Sequence, residues 1–289
     1  MFATEAGRNV FAAADLDGDG SVDYCGWRDV DVGLSHACGL LSDGRALCWG
    51  DNEWGQLTVP LDADGNDYQF KSVVAGHAYS CGLTEQGTVA CWGSDIGFHA
   101  WELDGFSFDS ISAGYGQFCG VKTDGDVECF GYQKSTLAGP FIRIDTGYKL
   151  ACGVKANGSV ECVGYNRDGQ ASPPNGMGFT SVSAGFDYAC GVRGGAIECW
   201  GWNGSGEEHL TETYVDVSVG ARHICGLMGS GEVDCGGGYV PSSVFTMIDS
   251  DGTNTSNGVT CGITELNEVQ CWSKNGMEIG TIFSPPTDP

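Results

Sequence analysis

Oxygen-bearing residues recur at alternate positions in Asp15-Leu16-Asp17-Gly18-Asp19-Gly20-Ser21-Val22-Asp23. Asp15, Asp17, Asp19 and Asp23 fall at positions 1, 3, 5 and 9 of a calcium loop, Ser21 can offer its carbonyl, and Gly20 sits at the sharp turn. Ca²⁺ takes several hard oxygen ligands, and closely spaced carboxylates supply them. The expectation is a structural Ca²⁺ held by Asp15, Asp17, Asp19, Ser21 and Asp23. Position 12 is Gly26, so the bidentate Glu of the helix-flanked type of loop is missing. The rival reading is an acidic turn that binds nothing tightly. Asp62-Ala63-Asp64-Gly65-Asn66-Asp67 and Asp249-Ser250-Asp251-Gly252 echo the pattern weakly and read as turns.

Thiols are the second candidate chemistry. Fourteen of the 15 cysteines fall into seven evenly spaced pairs: Cys38 with Cys48, Cys81 with Cys91, Cys119 with Cys129, Cys152 with Cys162, Cys190 with Cys199, Cys225 with Cys235 and Cys261 with Cys271. Successive pairs start 33 to 43 residues apart, the span of a structural repeat. A zinc site wants four ligands, commonly with two to four residues between cysteines. The spacing inside these pairs is too long for that. Around each pair the chain alternates with period 2 and is punctuated by glycine, as in antiparallel hairpins. If Cys38 faces Cys48, Ser42-Asp43-Gly44 is left as a three-residue loop with glycine in the left-handed slot. The same count leaves Glu85-Gln86-Gly87, Thr123-Asp124-Gly125, Ala156-Asn157-Gly158 and Gly229-Ser230-Gly231. Asn267 takes the glycine slot in the seventh unit, and the shorter fifth unit turns on Gly194-Gly195. Each loop returns its two thiols to a non-hydrogen-bonded pair, where side chains lie closest. Cross-strand disulfides are the favoured reading, and small buried thiols the rival. Cys25, the fifteenth, has no partner in this scheme and is either buried and free or cross-links two chains.

Little else names a reaction. His36, His77, His99, His209 and His223 are scattered, and no H-E-x-x-H, G-x-S-x-G or phosphate loop is present. Asn-x-Ser triplets begin at Asn157, Asn203 and Asn254 and carry no weight here. Thirteen Lys and Arg against 38 Asp and Glu give a net charge of −25, which argues against nucleic-acid binding. Seven disulfides require an oxidising compartment, so the chain is expected outside the cell or exposed on a surface. Met1-Phe2-Ala3-Thr4-Glu5 lacks the form of a signal peptide, so either a leader was removed or export used another route. No apolar run approaches the 18 residues of a membrane span.

The elements that position these residues repeat in register. Glycine stands five residues before the first cysteine at Gly33, Gly76, Gly114, Gly147, Gly185 and Gly220, with Ser256 the departure. It stands one residue after at Gly39, Gly82, Gly120, Gly153, Gly191, Gly226 and Gly262. Val32-Gly33-Leu34-Ser35-His36-Ala37-Cys38-Gly39-Leu40, then Asp43-Gly44, then Cys48-Trp49-Gly50-Asp51-Asn52 and Gly55-Gln56-Leu57, resembles the regulator of chromosome condensation (RCC1) repeat. A secreted, disulfide-rich bacterial branch is the nearer analogy, because the chain is acidic and lacks a basic arm. The N-terminal acidic stretch resembles an FG-GAP-type calcium loop.

The RCC1 resemblance implies an all-β, seven-bladed β-propeller, with one four-stranded sheet per repeat and one disulfide per blade. The expected division is an N-terminal hairpin over 1–27, a propeller over 28–283 and a tail over 284–289. Blades are expected at about 28–66, 67–106, 107–140, 141–176, 177–212, 213–245 and 246–283. The scatter at the family's histidine position (His36, Tyr79, Gln117, Leu150, Tyr188, His223, Val259) points to packing, as does the shared slot of Trp49, Trp92, Trp200 and Trp272. Loops at one mouth of the ring are the expected binding surface. Trp54, Tyr68, Phe98, Trp101, Trp202 and Tyr239 are candidate ligand contacts, with packing as their rival role. The expected function is a secreted or surface-exposed module that binds a protein or glycan without catalysis. A lyase or glycoside hydrolase with its site at the ring mouth, and a structural component of a virion or cell surface, are the alternatives.

Overall fold

A computed structural model describes residues 11–12, 24–94, 99–132, 134–202, 210–251 and 258–276. Seven antiparallel sheets follow one another in sequence and form a seven-bladed propeller. Blade 1 is Trp27–Val32, His36–Leu41 and Ala46–Gly50; blade 2 is Phe70–Ala75, Tyr79–Thr84 and Val89–Gly93. Blade 3 is Phe108–Ala113, Gln117–Lys122 and Val127–Gly131; blade 4 is Phe141–Thr146, Leu150–Lys155 and Val160–Gly164. Blade 5 is Phe179–Ala184, Tyr188–Arg193 and Ala196–Gly201; blade 6 is Tyr214–Val219, Ile224–Met228 and Val233–Asp234. Blade 7 is Phe245–Asp251, Val259–Thr264 and Val269–Ser273. First strands pack against the first strands of neighbouring blades, with blade 7 returning to blade 1, so they form the innermost ring.

Hairpin arithmetic places the cysteines. Leu41 N–H donates to Arg45 O across the loop, and three steps further Cys38 lies opposite Cys48. The disulfides join Cys38 with Cys48, Cys81 with Cys91, Cys119 with Cys129 and Cys152 with Cys162. They continue with Cys190 to Cys199, Cys225 to Cys235 and Cys261 to Cys271, one in each blade. In all seven the Cα atoms lie 4.0 to 4.1 Å apart. The rival reading of free buried thiols is thereby excluded for these fourteen residues. The left-handed slot is filled as the loops require: Gly44 has φ 88° and Asn267 φ 59°.

The glycine after each first cysteine serves a different purpose. The residue that opens the first strand, Trp27, Phe70, Phe108, Phe141, Phe179, Tyr214 or Phe245, lays its ring over it. A Cβ on Gly120 would stand 2.3 Å from Phe108 Cδ1, and one on Gly82 2.4 Å from Phe70 Cε1. These rings head seven apolar clusters, one per blade interface. Leu40, Phe70, Val73 and Trp92 join blades 1 and 2. Trp27, Val30, Val259 and Ile263 close blade 7 onto blade 1. The third-strand tryptophans are buried there, and the indoles of Trp92 and Trp200 donate to the carbonyls of Gln56 and Gln170 at 2.8 and 3.0 Å.

Two expectations change. Four strands per blade hold only for blade 3, where Ser135–Leu137 pairs with Val127–Cys129; the other sheets have three strands among the described residues. The connecting stretches are rich in turn formers, as in Ser172-Pro173-Pro174-Asn175-Gly176, and proline cannot donate to a ladder. The second is Asp249-Ser250-Asp251, read as a turn, which instead ends the first strand Phe245–Asp251 of blade 7. The ring closes where Trp27 N–H of blade 1 donates to Asn267 O in the hairpin loop of blade 7. Phe11–Ala12 pairs with Tyr24–Cys25. The predicted calcium ligands Asp15, Asp17, Asp19, Ser21 and Asp23 lie outside the described residues. The turn reading of Asp62 agrees with its carboxylate accepting from Asp64 and Asn66 N–H.

Candidate recognition face and axial channel

The turn between first and second strands brings each blade closest to its neighbours at one end of the axis. Glycine begins it because the next turn leaves no room: a Cβ on Gly33 would lie 2.3 Å from Gly76 O, and one on Gly147 2.1 Å from Gly185 O. The turns also pass backbone hydrogen bonds around the ring, Leu34 N–H to Gly76 O, Tyr115 to Gly147 O and Tyr148 to Gly185 O. The residue after that glycine therefore stands beside its equivalents. In blades 2 to 5 it is His77, Tyr115, Tyr148 and Phe186, whose ring centroids lie 4.4, 4.7 and 4.0 Å apart in succession. All four are half-buried. They form an aromatic arc around one channel mouth.

The chain leaving each third strand starts on the same end. Asp51, Tyr132, Tyr165 and Trp202 donate their N–H groups to carbonyls of the first turn of their own blade, those of Ser35, Gly116, Lys149 and Asp187. Outside the arc this end carries Trp54, Tyr132 and Trp202 at 55%, 55% and 44% exposure. Tyr239, also exposed, bonds by its N–H to Lys274 O on the same end of blade 7. Lys149 adopts φ 55° and sets its ammonium 4.1 Å from the Tyr132 ring centre and 5.2 Å from that of Tyr148. It links the arc to the outer rim.

Of the six aromatics singled out in the sequence, Trp54, Trp202 and Tyr239 thus share one face. Tyr68 does not: it stacks on Phe70, centroids 5.1 Å apart, in the core between blades 1 and 2. Phe98 and the Trp101 side chain lie outside the described residues. The arc was missed, although four aromatics directly following the repeat glycine were its signal.

Two rings of polar side chains line the channel below. Opposite the first cysteines stand Asp31, Val74, Ser112, Asp145, Ser183, Ser218 and Asp249. First strands leave N–H groups free on their axial edge, and the preceding blade satisfies them. Asp31 accepts from Ala75 N–H at 2.6 Å, Ser112 from Thr146 at 3.0 Å, and Asp145 from Ala184 at 2.7 Å. Ser183 accepts from Val219 at 3.0 Å and Asp249 from Val32 at 2.7 Å. One layer deeper, Arg143 of blade 4 reaches past blade 5 to Asp216 of blade 6, 3.0 Å away. That span shows how narrow the channel is.

Crowding sets the protonation of these groups. Burial pushes Asp29 up to about 6 against hydrogen bonds from Val73 and Val30. Burial, with Asp145 as neighbour, raises Asp249 to about 7, and burial with Asp249 raises Asp31. Burial also raises Asp145. It works against the Arg143 charge, but Asp216 and Asp145 outweigh it and hold the guanidinium above its ordinary value. His36 and His223 do not join the axis. They lie buried between blades with Nε2 2.8 Å from Ser80 Oγ and 3.0 Å from Thr260 Oγ1, and burial lowers both to about 4. No group of three or more His, Cys, Asp or Glu is arranged to hold a metal ion among the described residues.

The Regulator of chromosome condensation (RCC1) repeat family model matches residues 27–56 and 70–95, which cover blades 1 and 2. These two units match the RCC1 repeat. The other five blades carry the same cysteine, glycine and aromatic register. Among solved structures, the entire ectodomain of the Physcomitrella patens receptor kinase CR4 is similar at TM-score 0.73 and 21% identity, over 87% of this chain and 74% of that one. The ectodomain of the Arabidopsis thaliana receptor kinase ACR4 gives 0.68 and 19%, over 88% and 98%. Prp20p from Saccharomyces cerevisiae, described with its binding to Gsp1p and histones, gives 0.64 and 12%, over 89% and 84%. These likenesses concern the RCC1-type propeller fold. No curated protein matches the sequence.

Proposed function

We propose that this RCC1-repeat propeller is an extracellular recognition module that binds a protein or glycan through its arc-bearing face, without catalysis. The observation that carries the reading is the gathering of half-buried His77, Tyr115, Tyr148 and Phe186 with exposed Trp54, Tyr132 and Trp202 at one end. Aromatic side chains supply much of the binding energy of protein interfaces. Solved propellers of this type include receptor ectodomains and a protein that binds Gsp1p and histones, which supports binding as the use of the scaffold. The extracellular setting rests on the seven disulfides.

The test is capture from the native surroundings on immobilised protein, followed by a glycan array. The Tyr115→Ala, Tyr148→Ala double variant should lose about tenfold or more in capture. Leu266→Ser, at an exposed hairpin tip on the opposite end, should capture normally. Equal capture by all three proteins would rule the reading out. We further propose that Asp15, Asp17, Asp19, Ser21 and Asp23 bind a structural Ca²⁺, as their spacing suggests. Chelation should then lower the melting temperature, and Asp17→Asn with Asp19→Asn should abolish that response; a melt indifferent to chelator would refute it.

A further inference from the structure

We infer that the arc-bearing mouth receives a cationic side chain, lysine or arginine, of a partner protein, with the aromatic rings around it and the upper axial carboxylates beneath. The inference rests on the recognition reading above and names the chemistry of its partner.

Charge is distributed unevenly along the channel. The ring nearer the arc holds Asp31, Asp145 and Asp249 and no basic residue. Arg143 lies one layer deeper, and Arg28 and Lys71 lie further toward the opposite end. Past the rim, whose turns carry Lys149 and Arg222, a cation meets these three carboxylates before Arg143, the first base inside the channel. Asp31 and Asp145 stand three residues before Leu34 and Tyr148 at the mouth, a depth that about three residues of extended chain span, and Asp249 shares their ring. Asp31, Asp145 and Asp249 each accept one backbone N–H from the next blade, Asp145 also accepts from Ser112 Oγ at 3.3 Å, and a carboxylate has capacity for more. Burial and mutual repulsion make their shared charge costly, and a cation among them relieves the repulsion.

Two further observations point to a guest. The arc already hosts a cation on its outer side, where Lys149 sits over Tyr148 and Tyr132. In the same ring as the carboxylates, Ser218 is 97% buried, and its hydroxyl has no hydrogen-bond partner. A donor group in the channel would satisfy it. The chain's net charge of −25 further favours a basic partner.

The probe is a fluorescein-labelled Gly/Ser peptide with a central Arg-Arg pair, against its citrulline twin, at about 150 mM salt to screen loose attraction. Saturable binding of the arginine peptide is expected, with citrulline weaker by about tenfold or more. The Asp145→Asn, Asp249→Asn double variant and Tyr148→Ala should each weaken it by about tenfold. Removing three exposed surface charges away from this face (Glu265→Gln, Asp64→Asn, Asp67→Asn) should change it by less than about twofold. Asparagine keeps an acceptor for Ala184 and Val32 N–H, and far-UV dichroism checks the fold. Ser218→Asp adds a carboxylate to the ring and should tighten binding, a gain that misfolding cannot produce. No saturable binding, equal weakening by the surface variant, or indifference to the axial asparagines overturns the inference. Native capture lost with Tyr148→Ala but kept with the axial asparagines would remove the cationic contact and leave the recognition reading standing. Capture indifferent to both would remove that reading too.

Discussion

Beside each first cysteine all seven blades are alike, whereas at the axis they are not. The second strands carry Cys-Gly in every unit, and an aromatic ring from the first strand covers every one of those glycines. A few ångströms inward, the ring opposite the same cysteines reads Asp, Val, Ser, Asp, Ser, Ser, Asp. The difference separates two demands on the chain. Blade interfaces are dry and close-packed, so one solution is copied seven times. The channel is polar and partly solvated, so each position is free to differ, and that freedom is where individual function resides.

The sharpest way to break the comparison is to open one blade. Replacing Cys81 and Cys91 together by serine removes a cross-link that closes a short loop and should cost up to about 3 kcal/mol. At this chain length that is a fall in apparent melting temperature of roughly 6–12 °C, read by calorimetry. Next, Gly120→Ala drives a Cβ into the Phe108 ring and should cost about 2 kcal/mol, whereas Ser110→Ala in the channel should stay within about 0.5 kcal/mol. Equal effects at the two sites would erase the distinction.

The smallest effect is the most diagnostic. Asp29, Asp31, Asp145 and Asp249 all have folded pKa values above the ordinary carboxylate range, reaching about 6 for Asp29 and about 7 for Asp249. The folded protein therefore holds more protons than the unfolded chain, and stability falls as pH rises from about 4 to about 7. His36 and His223, lowered to about 4, oppose this: their share of stability increases with pH up to the ordinary histidine value. Above about pH 6.5 only the carboxylate slope remains. Asp249→Asn should flatten that remaining fall in melting temperature, and His223→Gln should steepen the fall at lower pH. A wild-type slope unchanged by Asp249→Asn would show that the axis does not control it.

What could be read from the sequence was what hairpins decide locally. The pairing of Cys190 with Cys199 across a two-residue turn, and Asn267 in a left-handed slot, need only counting and backbone preference. The aromatic that opens each first strand stands 11 residues before the first cysteine in six units and was legible in the same register. Tyr115, Tyr148 and the axial aspartates were not legible as a site, because blades 1, 4 and 7 meet at one point only once the ring has closed. The fourth strand was expected from resemblance, and among the described residues only the connection after the third strand of blade 3 supplies it.

Each sulfur bridge begins and ends within a single hairpin, so none of the seven fastens one blade to the next. Pulled from its ends, the ring would come apart in blade-sized steps, and every released segment would keep one short locked loop that tension cannot draw out. Such a chain yields in instalments, lengthens less than its residue count implies, and carries back into re-assembly seven strand pairings that were never lost.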